Sequence, residues 1–169
     1  DFSTITHLWF SHEHPDHFNP PNLREIPEEI RARLRVLYRR TKDGRVAGFC
    51  RSLGFASVEE LATAVWHDLG HGLRMMCAPY GEDSWIALDD GERRLLNVND
   101  CELANRAHMQ AIRDLVGPVD LLLTQFSYAS WSGIDGDARR ATARKILERV
   151  AMQADVVEAE FVLPFASFV

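Results

Sequence analysis

Short apolar segments bounded by turn residues recur along the chain and predict a series of strands. The segment 5–10 is β-branched and aromatic, and the segment 119–125 is continuously apolar, as is typical of strands that are covered on both faces. Alternating or short apolar runs predict further strands at 73–79, 84–88, 95–99 and 160–165. Asp89-Asp90-Gly91 separates two of these segments and therefore predicts a hairpin.

Amphipathic segments predict the helices. The segment 28–40 follows Pro27, carries acidic residues in its first turn and has apolar residues on one face. A capping-box pattern, Ser57-Val-Glu-Glu60, predicts a short helix through Val65. Two longer helices are predicted at 102–115 and 137–153. Strands and helices that alternate in this way predict an α/β layered fold, with a mixed sheet and helices outside it.

Composition narrows the class of protein. The chain has 169 residues, about the length of one domain, and its 46% hydrophobic and 26% charged residues are the balance of a globular protein. Its net charge of -6 argues against a nucleic-acid partner, because phosphate contacts need a basic surface. We expect no membrane partner, because the apolar runs are too short to span a bilayer. The 3 cysteines form no C-x-x-C pair, which favours a reducing, cytoplasmic setting.

The candidate chemistry lies directly after the first predicted strand, in the segment Ser11-His-Glu-His-Pro-Asp-His17. Three imidazoles and a carboxylate this close together are hard to bury as core residues, since each would need a partner. His12 and His14 alternate on extended backbone, so both can point the same way and bind one metal. Asp16 and His17 follow a proline bend and can reach a second metal. Imidazole combined with carboxylate suits zinc or non-haem iron, so the segment predicts a dinuclear metal site.

This segment resembles the H-x-H-x-D-H signature of the metallo-β-lactamase superfamily. The resemblance implies an α/β fold of the αββα sandwich type, of which this chain would be a segment without the early strands. It also implies one catalytic domain over residues 1–169 within a larger chain. Asp100 follows the predicted strand 95–99 and matches the bridging ligand of the family. The third ligand of the family is usually histidine, whereas this chain offers Glu82 as the best match and Asp83 as the alternative.

Three short segments resemble the CMP-sialic acid hydroxylase-like group of this superfamily: Leu96-Asn-Val-Asn-Asp-Cys101, Asp120-Leu-Leu-Leu-Thr-Gln-Phe-Ser127 and Pro164-Phe-Ala-Ser-Phe168. A glutamate at the third-ligand position is also the pattern of the diiron β-hydroxylases that share the fold. A carboxylate at that position makes the site more anionic, which favours iron over zinc. Both resemblances imply oxygen activation rather than hydrolysis.

The resemblance therefore implies a non-haem diiron monooxygenase. Two iron ions would be held by His12, His14, Asp16, His17, Glu82 and Asp100, with Glu82 and Asp100 as the catalytic residues. O2 would be the co-substrate, an external donor would supply electrons, and the product would be a hydroxylated small molecule, for example a natural product or a carrier- or CoA-linked compound. The alternative is a dinuclear zinc hydrolase that acts on an ester, thioester or amide. A binding module with structural zinc is disfavoured, because such sites are closed and rich in sulfur.

Other conspicuous side chains receive simpler interpretations. Glycines around His67 and His71 break a helix, so we expect an exposed loop ahead of a strand, with a metal or substrate role as the alternative. His108 is expected on a helix surface, unless it supplies the final histidine of the family's pattern. The residues at 125–131 follow a strand that should end near the metals, and they either line a substrate pocket or form a polar loop.

Overall fold

The chain is organised as two compact units. The computed structural model describes residues 4–126 and 136–165. The first unit comprises residues 1–65 and 77–84, and the second comprises residues 66–76 and 85–169. The histidine segment and Glu82 belong to the first unit, whereas Asp100 belongs to the second.

A parallel sheet of three strands is the framework of the first unit. Its strands are β1 (His7–Phe10), β2 (Arg35–Arg39) and β3 (Ser57–Leu61), in the spatial order β1-β2-β3. The connections contain α1 (Pro20–Glu25), α2 (Glu28–Arg31) and α3 (Arg45–Ser52). Parallel pairing puts the carboxyl ends of the three strands at one edge, which is where open α/β sheets carry their sites. The histidine segment begins at this edge, directly after Phe10.

The core of the first unit is apolar and centred on β2. Val36 and Tyr38 are buried and belong to one cluster with Phe10, Phe18, Leu23, Leu34, Val46 and Cys50. Burial of apolar side chains of this size contributes roughly 1.5–3 kcal/mol each. Since the cluster includes Phe10 and Phe18, it fixes both ends of the histidine segment.

A second sheet of six strands is built by β4 (Trp66–Gly70), β5 (Leu73–Tyr80), β6 (Asp83–Asp89), β7 (Arg94–Asn97), β8 (Leu121–Gln125) and β9 (Phe161–Phe165). The spatial order follows the chain order from β4 to β9. β4 pairs with β5 and β6 with β7 in antiparallel fashion, whereas β7, β8 and β9 run parallel. The parallel strands are joined through α4 (Arg106–Val116) and α5 (Gly136–Val157), because parallel neighbours need a crossover.

All six predicted strands are confirmed. β1, β5, β6, β7, β8 and β9 all correspond to predicted segments, and the predicted hairpin joins β6 to β7. The predicted helices at 102–115 and 137–153 correspond to α4 and α5. α4 begins only at Arg106, because the side chain of Asn105 caps its first turn. Over the described ranges, every helix is too short or too polar to cross a membrane.

Two of the predicted helices are wrong. The helix predicted at 28–40 is limited to Glu28–Arg31, and Arg35–Arg39 is β2 instead. The short helix predicted from Ser57 is β3, which pairs with β2. β2 is hydrogen-bonded on both edges, and this pairing outweighs the helical pattern of its residues.

The loop predicted around His67 is also wrong, because His67 lies in β4. His71 lies in the turn to β5, with a φ of 55°. Helix α1 was not predicted, although its start carries a clear signal: the side chain of Asn19 accepts the N–H of Asn22 at 3.0 Å and proline follows at the first helical position. Helix α3, after the turn at Gly44, was not predicted either.

Asp89 is a buried carboxylate that ties three strands of the second unit together. Its Oδ2 accepts from Nη2 of Arg74 on β5 at 2.9 Å and from Nη2 of Arg94 on β7 at 2.6 Å. Its Oδ1 accepts the N–H of Gly91 at 2.8 Å. Burial acts to raise the pKa of Asp89, but the hydrogen bonds from Arg94, Arg74 and the Gly91 backbone outweigh it and hold the pKa well below its usual range.

The Asp89→Asn variant should lose about 1–3 kcal/mol of unfolding free energy at neutral pH, because both arginines lose their charged acceptor. A lowered pKa contributes stability above the usual carboxyl pKa, near 4, and that stability is lost as the pH falls toward the folded-state value. The difference between wild type and variant should therefore shrink below about pH 4, as measured by urea unfolding across pH. Glu92→Gln, an exposed change in the same hairpin, is the control. An equal loss in both variants would contradict the prediction.

Candidate metal centre

The histidine segment forms a tight turn between β1 and α1. Phe10 and Phe18 pack edge to face, with ring centroids 5.2 Å apart, and so anchor both ends of the segment in the core. The carbonyl of His14 accepts the N–H of His17 at 2.9 Å and that of Phe18 at 2.8 Å. These bonds fold the segment back on itself and bring its histidines together.

Three imidazole rings pack against one another in this turn. The ring centroids of His12 and His14 are 4.4 Å apart, and those of His12 and His17 are 4.3 Å apart. Nε2 of His12 lies 2.7 Å from Nδ1 of His14, so the two nitrogens predicted to share one metal converge. Oδ2 of Asp16 lies 3.5 Å from Nε2 of His17, and this pair is the one predicted to bind the second metal.

Two polar side chains, of Ser11 and Asp83, contact the Nδ1 edge of the His12 ring. His12 is 1% exposed, and its Nδ1 lies 2.7 Å from Oδ1 of Asp83 and 2.9 Å from Oγ of Ser11. A carboxylate oxygen 2.7 Å away repels a lone pair on Nδ1, so the proton of a neutral His12 belongs on Nδ1. Nε2 then keeps its lone pair toward His14, which is the form in which an imidazole binds metal.

The two carboxylates considered for the third ligand differ in burial. The Glu82 side chain is 92% exposed, and its Oε2 lies 4.0 Å from Nε2 of His14. The Asp83 side chain is 19% exposed and lies against His12. The predicted ligand is therefore at the surface beside His14, and its alternative is the carboxylate beside His12. Metal binding by either carboxylate stays a prediction.

A cavity of about 270 Å³ opens beside the histidines in the first unit. It is lined by His12, Glu13, His14, Arg39, Arg45 and Glu82. Arg45 pairs with Glu13, and Nη2 of Arg39 donates to the backbone oxygen of Glu82 at 2.5 Å. Neither arginine was predicted as a site residue, because Arg39 lies in a segment predicted to be a helix and Arg45 opens α3, which was not predicted. A cavity of this volume can hold part of a small-molecule ligand.

Asp100 lies on a tight turn after β7 in the second unit. The N–H of Asn99 donates to Oδ1 of Asn97 at 2.8 Å, and the N–H of Cys101 donates to the carbonyl of Val98 at 3.0 Å. Asn99 has a φ of 49°, a left-handed conformation that asparagine tolerates better than most residues. The turn defines the backbone at Asp100, whose bridging role stays a prediction.

The remaining candidate histidines belong to the second unit. Within the described ranges, neither His67 nor His71 belongs to a group of three close potential metal ligands. His108 is exposed on α4, as expected. The prediction of a pocket or polar loop at 127–131 falls outside the described residues.

Comparison with solved structures identifies the fold, whereas no family model and no curated protein matches the chain. The chain is similar to CmlA, a diiron β-hydroxylase from Streptomyces venezuelae, with a TM-score of 0.67 and 21% identity over 95% of this chain and 35% of that one. It is similar to the metallo-β-lactamase fold protein YhfI from Bacillus subtilis, with a TM-score of 0.68 and 12% identity over 98% of this chain and 66% of that one. For zinc-bound PqqB from Methylobacterium extorquens, the TM-score is 0.57 and the identity 16%, over 94% of this chain and 60% of that one.

The chain has the metallo-β-lactamase fold. The fold class predicted from the histidine segment is therefore confirmed. Identities of 12% to 21% establish the fold alone. The chain spans about a third of the length of CmlA, 35% of it, so the activity of a whole protein of that kind is a matter for proposal.

The residues of the turn fit the metal pair that a diiron protein of the metallo-β-lactamase fold implies. Nitrogens of His12 and His14 converge from two sides, and Asp16 and Glu82 offer oxygen at the rim. A donor set of imidazole nitrogen and carboxylate oxygen suits iron or zinc.

The His12→Ala variant should bind about half of the wild-type metal or less while its fold remains, because one ion of the predicted pair depends on His12 and His14. Metal analysis by mass spectrometry and circular dichroism check the two parts of this prediction. His67→Ala, which removes an imidazole of β4, is the matched control and should bind metal as the wild type does. If His12→Ala keeps both ions, His12 is not a ligand.

Proposed function

We propose that this chain carries the metal centre of a non-haem diiron monooxygenase, which hydroxylates a C–H bond of a small molecule. The observation that carries the proposal is the packing of three imidazoles, with carboxylates at their rim, beside a cavity at the carboxyl end of β1. The similarity to CmlA, a diiron β-hydroxylase, supports iron as the metal and hydroxylation as the reaction.

The atoms and electrons of the proposed hydroxylation balance. One atom of O2 enters the C–H bond as a hydroxyl group, and the other leaves as water after uptake of two electrons and two protons. A bound pair of iron ions supplies the redox chemistry, and an external donor supplies the electrons. The protein contributes binding, orientation and a partly enclosed site.

The imidazoles have distinct roles in this proposal. His12 and His14, whose Nε2 and Nδ1 lie 2.7 Å apart, would hold one ion, and Asp83 lies 2.7 Å from Nδ1 on the other edge of the His12 ring. His17 holds the second ion together with Asp16, whose carboxylate is already 3.5 Å from the ring. The two halves of the H-x-H-x-D-H segment thus serve two different ions.

The remaining carboxylates supply negative charge. Glu82 completes the first site by turning its exposed side chain toward His14, from which its oxygen is 4.0 Å away. Asp100 keeps the bridging role predicted from the sequence. Anionic ligands offset the additional charge of oxidised iron, so their presence is expected in an oxygenase.

The substrate occupies the cavity beside the histidines. The cavity accommodates part of a small molecule, and Arg39 and Arg45 give it polar walls. A natural product, or a compound linked to a carrier or to CoA, would place its reacting carbon next to His14 and leave the rest of the molecule outside.

The alternative proposal is a dinuclear zinc hydrolase that acts on an ester, thioester or amide. One observation favours it: the Glu82 side chain is 92% exposed. A site without this carboxylate is less anionic, which leaves the metal a stronger Lewis acid for the attack of water on a carbonyl. Zinc-bound PqqB, which is similar in fold, supports the same alternative.

Substitution of Glu82 separates the two proposals. Glu82→His should shift the metal preference from iron toward zinc and abolish O2 consumption, because an imidazole replaces an anionic ligand. Glu82→Ala should weaken binding of the ion assigned to His12 and His14, and it should affect binding of the other ion less. Metal analysis after anaerobic loading with equal iron and zinc, followed by O2 uptake with a chemical reductant, measures both effects.

Two variants sharpen this experiment. Glu13→Gln neutralises a carboxylate of the same cavity that pairs with Arg45, and it should leave metal preference unchanged. If Asp83→Ala loses an ion and Glu82→Ala loses none, the third ligand is Asp83. If the wild type takes two zinc ions in preference to iron and consumes no O2, the zinc hydrolase replaces the oxygenase.

A further inference from the structure

The hydroxyl group of Ser11 lies between two imidazoles of the histidine segment. Its Oγ is 2.9 Å from Nδ1 of His12 and 3.3 Å from Nδ1 of His17. Ser11 is 2% exposed, so these contacts are shielded from water. The hydroxyl faces the same nitrogen, Nδ1, in both rings, whereas Nε2 faces His14 in the case of His12 and Asp16 in the case of His17.

We infer that Ser11 is a positioning residue that orients His12 and His17 together and thereby couples the two metal sites. The inference rests on the proposed metal pair. An imidazole that binds metal through Nε2 carries its proton on Nδ1, and a hydroxyl oxygen has two lone pairs. The Ser11 oxygen can therefore accept a hydrogen bond from Nδ1 of His17 and share the Nδ1 proton of His12 with Asp83, although the two rings are assigned to different ions.

The backbone of Ser11 is itself held firmly. Ser11 directly follows β1, and its carbonyl oxygen accepts a hydrogen bond from the hydroxyl of Ser84. Ser84 is fully buried and is adjacent to Asp83, the carboxylate that contacts His12. The hydroxyl of Ser11 thus projects from a rigid strand end, and this rigidity is what orienting two ligands requires.

Zinc titration of the zinc-free chain against a competing chromophoric chelator tests the inference. Ser11→Ala is expected to lower the affinity for both ions by about 10- to 100-fold, which is the usual effect of removing a group that orients a metal ligand. Ser11→Thr keeps the hydroxyl and is expected to bind both ions close to the wild-type affinity. Ser52→Ala is the control, because it removes a hydroxyl of the first unit that donates to a carbonyl rather than to a ring nitrogen.

The outcomes are distinct. Weaker binding of both ions in Ser11→Ala, with Ser11→Thr and Ser52→Ala near wild type, supports the inference. Weaker binding of only one ion, wild-type affinity in Ser11→Ala, or an equal loss in Ser52→Ala overturns it.

Long-range 1H–15N NMR of the imidazoles supplies a readout that needs neither activity nor a folded alanine variant. In the zinc-loaded wild type, His12 and His17 are both expected to carry the proton on Nδ1, and a proton on Nε2 of either ring overturns the inference. If the wild type binds no zinc or iron, the proposed function fails instead. In that case the metal-free proteins are compared. The Nδ1 chemical shifts of His12 and His17 should be similar in the wild type and Ser11→Thr and should differ in Ser11→Ala. Unchanged shifts in Ser11→Ala overturn the positioning role.

Discussion

Close packing of three imidazoles is the constraint on which the candidate site depends. The ring centroids of His17 and His14 lie 4.3 Å and 4.4 Å from that of His12, so ring nitrogens face one another at short range, as Nε2 of His12 faces Nδ1 of His14 at 2.7 Å. Two nitrogen lone pairs at this distance repel each other. Each such lone pair needs a proton or a cation. The acceptors on the far edge of His12, Asp83 and Ser11, fix the proton there and leave the inner edge for a cation.

The histidine segment was predictable because its geometry is local. Its residues follow one another after a strand whose apolar pattern is clear, and a single turn closed on the carbonyl of His14 brings the rings together. The sequence did not determine which of two neighbouring carboxylates lies beside His12. Glu82 and Asp83 are neighbours in the sequence, but Asp83 is the first residue of β6 and Glu82 precedes it. Consecutive residues at a strand end point to different sides, so the choice between them depends on register, which a sequence pattern specifies only weakly.

The errors in the first unit share one physical origin. β2 and β3 carry spacing and capping signals that favour helices, yet both are strands of a parallel sheet whose pairing is entirely long-range. Such pairing is invisible in a window of neighbouring residues. The error had a functional consequence, because Arg39, which ends β2 and lines the cavity, was not recognised as a site residue.

The site therefore has two halves with different mechanical properties. Ser11, His12 and Asp83 are largely buried and linked to one another, and Ser84 ties them to the adjoining backbone. This half sets where the first imidazole points, and it costs no reorganisation when an ion binds. Glu82 and Asp16, by contrast, are 92% and 71% exposed in their side chains and can turn toward or away from the rings. Metal affinity should thus reside mainly in the buried half. The charge of the occupied site, and with it the choice between iron and zinc, depends on how many of the exposed carboxylates close over the ions.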